Sequence, residues 1–470
     1  MNPRKIAAFA LGPLGGAVLG LITIPLMTWF FSKEDIGRLA MLNVVTSFCT
    51  LFFSLGLDQA YVREFNEIKS KPKLFKVTFF PGFVLLLIVL CIFISSDNLI
   101  SKMLFELDSQ LLSLLVSIVV LSTFITRFLS LILRMNERGV AYSMSQLLPK
   151  LILILIIGAY IAFSARNNIT NLLIANVSAT LIVCIVYAWS TRDEWLASLN
   201  ESIDYKYLKS LASFGMPLVF GGLAFWGLTA IDKILLTKLS NFEELALYSV
   251  AVSFAAAAAI FQSVFSIVWA PIVYKWAAVG EGLENIYKVN RYVLLVVIIL
   301  FCLGGLFSWV ITFVLPSNYG AVQWVLISCL GLPLFYTLSE TTIVGVGVTR
   351  RSGFAMLAAL LAFIVNLLGN WWLIPILGAK GAAVSTCISF WLFFILRTEF
   401  AIYVWKPMPR LILYSYTSLL VIGAVVSTIY GELYNNYLTL FWSVILLSVF
   451  IFFKTEFFEA KSWIISKRLS

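Results

Sequence analysis

Six ionisable residues of this 470-residue chain lie within long apolar stretches: Arg127, Lys150, Asp232, Lys233, Glu340 and Arg397. A charge held in hydrocarbon costs about 3 kcal/mol or more unless it is paired or wetted, so each is a candidate for binding or transport. Arg127 and Lys150 carry the strongest signal. Arg127 shares a helical face with Thr123, Ser130 and Arg134, and Lys150 shares one with Ser143 and Gln146, beside Pro149. Two cations on polar faces read as the lining of a cavity for an anionic ligand. Asp232 and Lys233 point about 100° apart on a helix, so each can pair with a different neighbour. Glu340, one turn after Tyr336 and Thr337, reads as a proton-coupling carboxylate or as a partner for Arg127. Arg397, near Glu399 at a helix end, can reach the interface by snorkelling.

Uncharged polar residues extend this set. Asn43, Ser47, Thr50, Ser54, Asp58 and Tyr61 fall at spacings that share one face of a continuous helix. Lipid accommodates such a face poorly, so it is expected against another helix or a watery cavity. Asn366 and Asn370 stand one turn apart. Asn43, Ser47, Asp58, Asn366 and Asn370 therefore join Arg127, Lys150 and Lys233 as candidates for substrate contact. Asp58, Asp232 and Glu340 are the candidates for coupling to an ion gradient. Ser and Thr alone more often glue helices together. Gly12, Gly16 and Gly20 form a small-residue stripe for close helix approach, and Pro25, Pro149, Pro217, Pro271 and Pro333 are candidate kinks.

The elements that must position these residues are legible in composition. The chain is 61% hydrophobic and 12% charged, with a mean hydropathy of +0.98, values that exclude ordinary soluble classes. Apolar runs long enough to cross a bilayer recur throughout, giving an all-α polytopic membrane protein. Fourteen spans are expected at about 8–31, 36–57, 77–96, 110–133, 143–163, 170–190, 211–239, 245–273, 290–315, 321–346, 353–375, 381–404, 411–430 and 437–454. The first run has basic residues before it but no obvious cleavage site, so it reads as a retained helix. The chain contains no His, which excludes His-dependent triads and HExxH zinc sites. Its six Cys residues all lie in apolar stretches without a CxxC and read as packing residues, so neither metal nor cofactor is expected.

Charge orients the bundle. Alternate segments on the side of the N-terminus hold 23 Lys and Arg, the opposite loops hold 6, and Arg127, Lys150, Lys233 and Arg397 remain within spans. This bias places both termini in the cytoplasm and supports an even number of spans. The net charge of +10 is then topological and implies no nucleic-acid partner. No segment between spans exceeds about 20 residues, too few for an extramembrane domain. A faint repeat relates Gly12-Pro13-Leu14-Gly15-Gly16 to Met216-Pro217-Leu218-Val219-Phe220-Gly221-Gly222. It implies an N-terminal six-helix bundle (1–190), a linker (191–210), a second six-helix bundle (211–404) and two further helices with a tail (405–470), the two bundles sharing one orientation.

The segment 12–65 resembles bacterial oligosaccharide flippases of the polysaccharide transporter family, within the multidrug/oligosaccharidyl-lipid/polysaccharide exporter superfamily. The resemblance is carried most sharply by Gly56-Leu57-Asp58-Gln59-Ala60-Tyr61-Val62-Arg63-Glu64-Phe65. Leu148-Pro149-Lys150 and Thr229-Ala230-Ile231-Asp232-Lys233 also match, although the family often has Arg at the position of Lys233. The resemblance implies a transporter, with no catalytic residue, in the bacterial inner membrane. It implies a lipid-linked oligosaccharide carried on undecaprenyl pyrophosphate as substrate, moved for surface polysaccharide such as lipopolysaccharide O-antigen. It also implies membrane lipid, a polysaccharide polymerase and a chain-length regulator as partners. Three rivals stand beside it: a cation-coupled multidrug or metabolite exporter of the same fold, a membrane polymerase or ligase, and a structural or scaffold subunit, against which the buried charges speak. The first should show mainly acidic residues in its cavity, and the second a large outer loop.

Overall fold

The computed structural model describes residues 3–96, 98–279, 283–454 and 456, and among them every regular element is helical. The expected basic tail residues Lys461, Lys467 and Arg468 lie outside the described residues. The chain divides into two compact units, Met1–Ile234 and Leu235–Ser470. The first contains α1 (Pro3–Phe30), α2 (Lys33–Phe53), α3 (Leu57–Glu64), α4 (Lys71–Ile94), α5 (Leu99–Phe105), α6 (Gln110–Met135), α7 (Gly139–Ala162), α8 (Ile169–Ser190) and α9 (Arg192–Leu199). The boundary then falls within α10 (Tyr205–Leu239). The second contains α11 (Phe242–Val279), α12 (Leu283–Phe307), α13 (Val322–Cys329), α14 (Gly331–Thr342), α15 (Val344–Val348), α16 (Gly353–Leu377), α17 (Ala379–Val404) and α18 (Leu411–Phe452).

Helix starts follow local chemistry. Ser32, Ser70, Ser109 and Asn168 each accept a hydrogen bond from the backbone amide three residues on, which satisfies a donor the helix leaves open. Twelve helical segments are long and apolar enough to cross a membrane, and Leu14–Phe30 of α1 adds a shorter apolar one. The last of the twelve, α18, is not one rod. Tyr434 has non-helical φ/ψ, the Tyr416 and Ser448 hydroxyls lie 2.9 Å apart, and Trp442 Nε1 donates to Ser427 Oγ at 3.1 Å. In a straight helix, residues 32 positions apart would be about 48 Å apart. The segment is therefore a helical hairpin, and with α1 the described residues hold fourteen apolar helical segments, in the order the hydropathy predicts. Apolar side chains such as Leu155 and Trp372 point outward while Phe124, Phe128, Phe390 and Trp442 fill the two interiors, as a lipid-embedded bundle requires.

In the first unit, α1 packs along α7, α6 along α8, and α2 against α6. The glycine stripe of α1 makes the first of these possible. A Cβ on Gly12 would stand 3.0 Å from the Ser143 Cα, and one on Gly15 would stand 2.7 Å from Leu147. Residues 191–210 contain a short helix of their own, α9, which docks on α4. The segment is further held by Ser70 Oγ donating to Glu201 (2.8 Å), Lys73 pairing with Asp204 (3.3 Å), and Lys76 donating to the Leu199 and Glu201 carbonyls. The Asp204 carboxyl is held below its ordinary range, first by the Tyr207 amide it accepts and then by Lys73.

The expected polar face of span two is interrupted. The α2 helix ends at Phe53, Leu55 and Gly56 both adopt positive φ (52° and 67°), and Asp58 and Tyr61 belong to the separate helix α3. The face read across 43–61 therefore divides at residues 54–56, because two left-handed residues redirect the chain. Pro149 and Pro217 lie inside α7 and α10, and further breaks fall here and at Tyr434, where no proline stands. Gly56 also meets α10 backbone to backbone: a Cβ there would lie 2.2 Å from the Gly215 carbonyl oxygen. Gly56→Ala should therefore lower stability by at least about 2 kcal/mol, from left-handed strain plus overlap with a carbonyl. Gly158→Ala, which meets nothing within 4 Å, should shift it by less than about 1 kcal/mol. Thermal unfolding of the purified chain in detergent measures both, and equal melting temperatures for the two variants would refute the assignment.

Candidate functional site

Lys150 lies on the face of α7 that meets the α1 glycines. A Cβ on Gly20 would come within 3.0 Å of Lys150 Nζ, so the missing side chain leaves room for the ammonium. The ammonium donates to the Gly16 backbone carbonyl. A carbonyl is neutral and cancels none of the charge on Lys150, and among the described residues no carboxylate pairs with it. Two of its three N–H donors remain for another acceptor. Lys150 is half-buried. A polar face, a glycine gap and a half-buried cation without a counter-charge make an arrangement suited to an anionic group.

Arg127, on α6, is placed differently. Its Nη2 donates to Asp58 Oδ2 at 2.9 Å, with the Asp58 side chain 9% exposed and that of Arg127 41% exposed. Gln59 Nε2 also donates to Asp58, at 3.2 Å. The turn at Leu55–Gly56 that breaks the α2 face thus brings Asp58 to Arg127. The buried carboxylate anchors the arginine, and the outer part of the guanidinium stays accessible. Arg127 therefore finds its partner in Asp58, and not in Glu340.

The remaining candidates of the first unit fall along α2 and α10. Asn43 and Ser47 are exposed, and Ser47 Oγ accepts a hydrogen bond from Trp226 Nε1 at 3.0 Å. The Trp226 ring also packs against Phe48, with centroids 5.1 Å apart. Asp232 is buried, 1% exposed, and its Oδ1 accepts the Lys233 backbone amide at 2.7 Å, while the Lys233 side chain is partly exposed. Adjacent residues on a helix diverge, and here one points inward while the other reaches outward.

In the second unit Glu340 and Arg397 form a pair of their own, Nη2 to Oε1 at 3.7 Å, with side chains 17% and 11% exposed. Arg397 Nη1 donates to Ser339 Oγ at 2.6 Å, and its guanidinium stands 4.9 Å from the Phe393 ring centroid and 5.5 Å from that of Tyr336. The expected snorkelling of Arg397 is replaced by a buried pair stacked on two rings. Asn366 and Asn370 are fully buried between α16 and α17. Asn370 Nδ2 donates to Asn366 Oδ1 (2.9 Å) and Asn366 Nδ2 to Thr386 Oγ1 (3.2 Å), while the Asn370 Oδ1 finds no donor among the described residues. The helical spacing that made these asparagines candidates also describes helix-packing glue.

Sequence reasoning passed over Trp226, whose signal was a tryptophan at mid-span instead of at an interface. It also passed over Phe393, four residues before Arg397, a spacing that stacks a ring on a cation. Among the described residues no group of three or more Cys, Asp or Glu side chains is placed to hold a metal ion.

Known proteins place this architecture. In structure, the chain is similar to the lipid II flippase MurJ in an inward closed conformation, with a TM-score of 0.67 at 14% identity, covering 96% of this chain and 99% of that one. It is also similar to an inward-facing multidrug resistance MATE family transporter of the MOP superfamily, with a TM-score of 0.57 at 14% identity over 86% and 96% of the two chains. A third similar structure is the Vibrio cholerae MATE transporter VcmN carrying a D35N substitution, with a TM-score of 0.56 at 12% identity over 85% and 96%. At these identities the likeness shows the fold. No curated protein sequence matches significantly. Residues 3–276 match the family described as "Polysaccharide biosynthesis protein", more than half of the chain, and this multi-pass helical membrane protein belongs to that family.

Proposed function

We propose that the protein translocates a lipid-linked oligosaccharide, carried on undecaprenyl pyrophosphate, across the bacterial inner membrane for surface polysaccharide such as lipopolysaccharide O-antigen. The basic side of the bundle, with both termini, then faces the cytoplasm. The observation that carries this reading is Lys150, a half-buried cation whose only described partner is a neutral carbonyl. Family membership and the fold shared with a lipid II flippase support it. A pyrophosphate needs cations with free donors, and Lys150 together with the accessible part of Arg127 supplies them. Exposed Asn43 and Ser47, with the partly exposed Lys233, offer donors and acceptors for headgroup and sugar, while the prenyl tail remains in lipid. Translocation makes and breaks no covalent bond, so the reading requires no catalytic residue. A polymerase and a chain-length regulator follow as partners acting after transport, and the 1–190, 191–210, 211–404 and 405–470 division stands as the proposed functional layout.

A multidrug or metabolite exporter is the second reading, favoured by the MATE-type neighbours. The unpaired cation in the first unit favours an anionic cargo instead. Asp58, Asp232 and Glu340 are the carboxylates proposed for coupling to an ion gradient, and Asp232, 1% exposed on α10, is the one whose neutralisation is tested.

Two expected outcomes separate these roles in vesicles reconstituted with the purified chain and labelled undecaprenyl-pyrophosphate oligosaccharide. Lys150→Ala should slow flipping by about tenfold to a hundredfold, the loss of one to two charge-assisted contacts, while Lys150→Arg retains most of it. Flipping by Lys150→Ala and Arg127→Ala at the unaltered rate would sink the cationic site. Asp232→Asn should keep the rate measured without a gradient and lose the acceleration by an imposed ion gradient. Undiminished acceleration in Asp232→Asn would remove Asp232 from coupling.

A further inference from the structure

A second polar cavity lies in the first unit, at the end of its helices that carries the basic residues. It has a volume of about 310 Å³ and is lined by residues of α3, α4, α6 and α9, among them Tyr61, Phe65, Lys71, Phe75, Arg138 and Glu194. Tyr61 and Phe65 come from the Gly56–Phe65 segment, the most distinctive stretch of the sequence, of which the transport site uses only Asp58.

The lining is complementary to one negative charge. Arg138 Nη2 donates to Glu194 at 3.0 Å and its Nη1 to the Ser190 carbonyl at 3.1 Å, so this cation is paired and fixed in place. Asn136 Nδ2 also reaches Glu194, at 3.4 Å. Lys71 Nζ stands 4.3 Å from the centroid of the Phe65 ring, and among the described residues no carboxylate pairs with it. Two cations against one carboxylate leave a net charge of one. Tyr61 is 2% exposed and lines the cavity, and its hydroxyl has no hydrogen-bond partner among the described residues. Burial, and then the Glu194 carboxylate, push its phenol well above the ordinary range, so it stays a donor. Ser70 caps the start of α4 beside Lys71, adding the positive end of a 24-residue helix to the same corner.

We propose that this cavity binds the phosphodiester headgroup of a phospholipid in the adjoining leaflet. The volume lies at the lower end of ligand sites, enough for a headgroup without its chains. A phosphodiester is a monoanion and matches the net charge, whereas a phosphomonoester would leave the site overcharged. Lys71 and the Tyr61 hydroxyl donate to its oxygens. The rings of Phe65 and Phe75, with Ile132, form the apolar side of the wall, which suits a glyceryl ester more than a free ion. Trp189, next to the Ser190 that holds Arg138, is 72% exposed, and Leu196 and Leu199 of α9 are exposed as well, the residue types that settle at a membrane interface. The lipid would fasten α9 to α4 and so brace the segment entering α10. This site stands apart from the transported substrate and does not depend on its identity.

The test uses the full-length chain, purified in detergent and delipidated, titrated with phosphatidylglycerol and read by native mass spectrometry, with diacylglycerol as the phosphate-free control. The unaltered chain should retain one more phosphatidylglycerol than Lys71→Ala, whose apparent Kd should rise about tenfold. Tyr61→Phe, which keeps the ring and loses the hydroxyl, should weaken binding several-fold, and Lys209→Ala, an exposed lysine outside the cavity, should change nothing. Equal retention by the unaltered chain, Lys71→Ala and Tyr61→Phe would overturn the site. Displacement of the lipid by an equal concentration of soluble glycerophosphoglycerol would overturn the lipid assignment in favour of a soluble phosphodiester.

Discussion

Hydrocarbon solvates neither a charge nor an open backbone group, and the rest of this structure follows from how the chain meets that constraint. Backbone groups are absorbed by helices throughout. Charges are settled one at a time, by different devices. Asp58 and Arg127 neutralise each other across α3 and α6, and Glu340 and Arg397 do so between α14 and α17 with two aromatic rings as a bed. Lys150 is met differently, for its partner among the described residues is a carbonyl, which cancels none of its charge. An uncancelled cation in a membrane protein costs stability, and the proposed function accounts for that cost by recognition of a negatively charged ligand.

The small residues of α1 are what make that contact possible. Glycines at positions 12, 15, 16 and 20 allow α7 to lie against α1 closely enough that the lysine reaches a main-chain oxygen. Two features read separately in the sequence, a packing stripe and a candidate binding residue, are one device. A similar economy holds at Leu55–Gly56, where a pair of left-handed residues both ends α2 and aims Asp58 at Arg127.

Much of this was legible in the sequence. Hydropathy located the fourteen apolar helical segments, including the two arms of the α18 hairpin, because a span needs a fixed length of apolar residues whatever it packs against. The basic asymmetry and the buried charges were equally plain. Pairing was not. Glu340 was a reasonable partner for Arg127 on charge alone, and only three-dimensional packing gives it to Arg397 instead. The polar face from Asn43 to Tyr61 assumed one continuous helix, yet a leucine at positive φ leaves no sequence signal, and the glycine after it is ambiguous within a span. Asn366 and Asn370 show the converse case. Their spacing is that of a substrate face and also that of interhelical glue, and in this structure they are buried and bonded to each other and to Thr386.

The central claim is that Lys150 gives the first unit its preference for a pyrophosphate headgroup. It is tested most directly by equilibrium binding of undecaprenyl pyrophosphate against undecaprenol, measured on the same purified chain and on Lys150→Gln. The account predicts at least about tenfold tighter binding of the pyrophosphate by the unaltered chain, a preference that shrinks severalfold in the variant. Equal affinity of the unaltered chain for the charged and the uncharged prenyl lipid would contradict it.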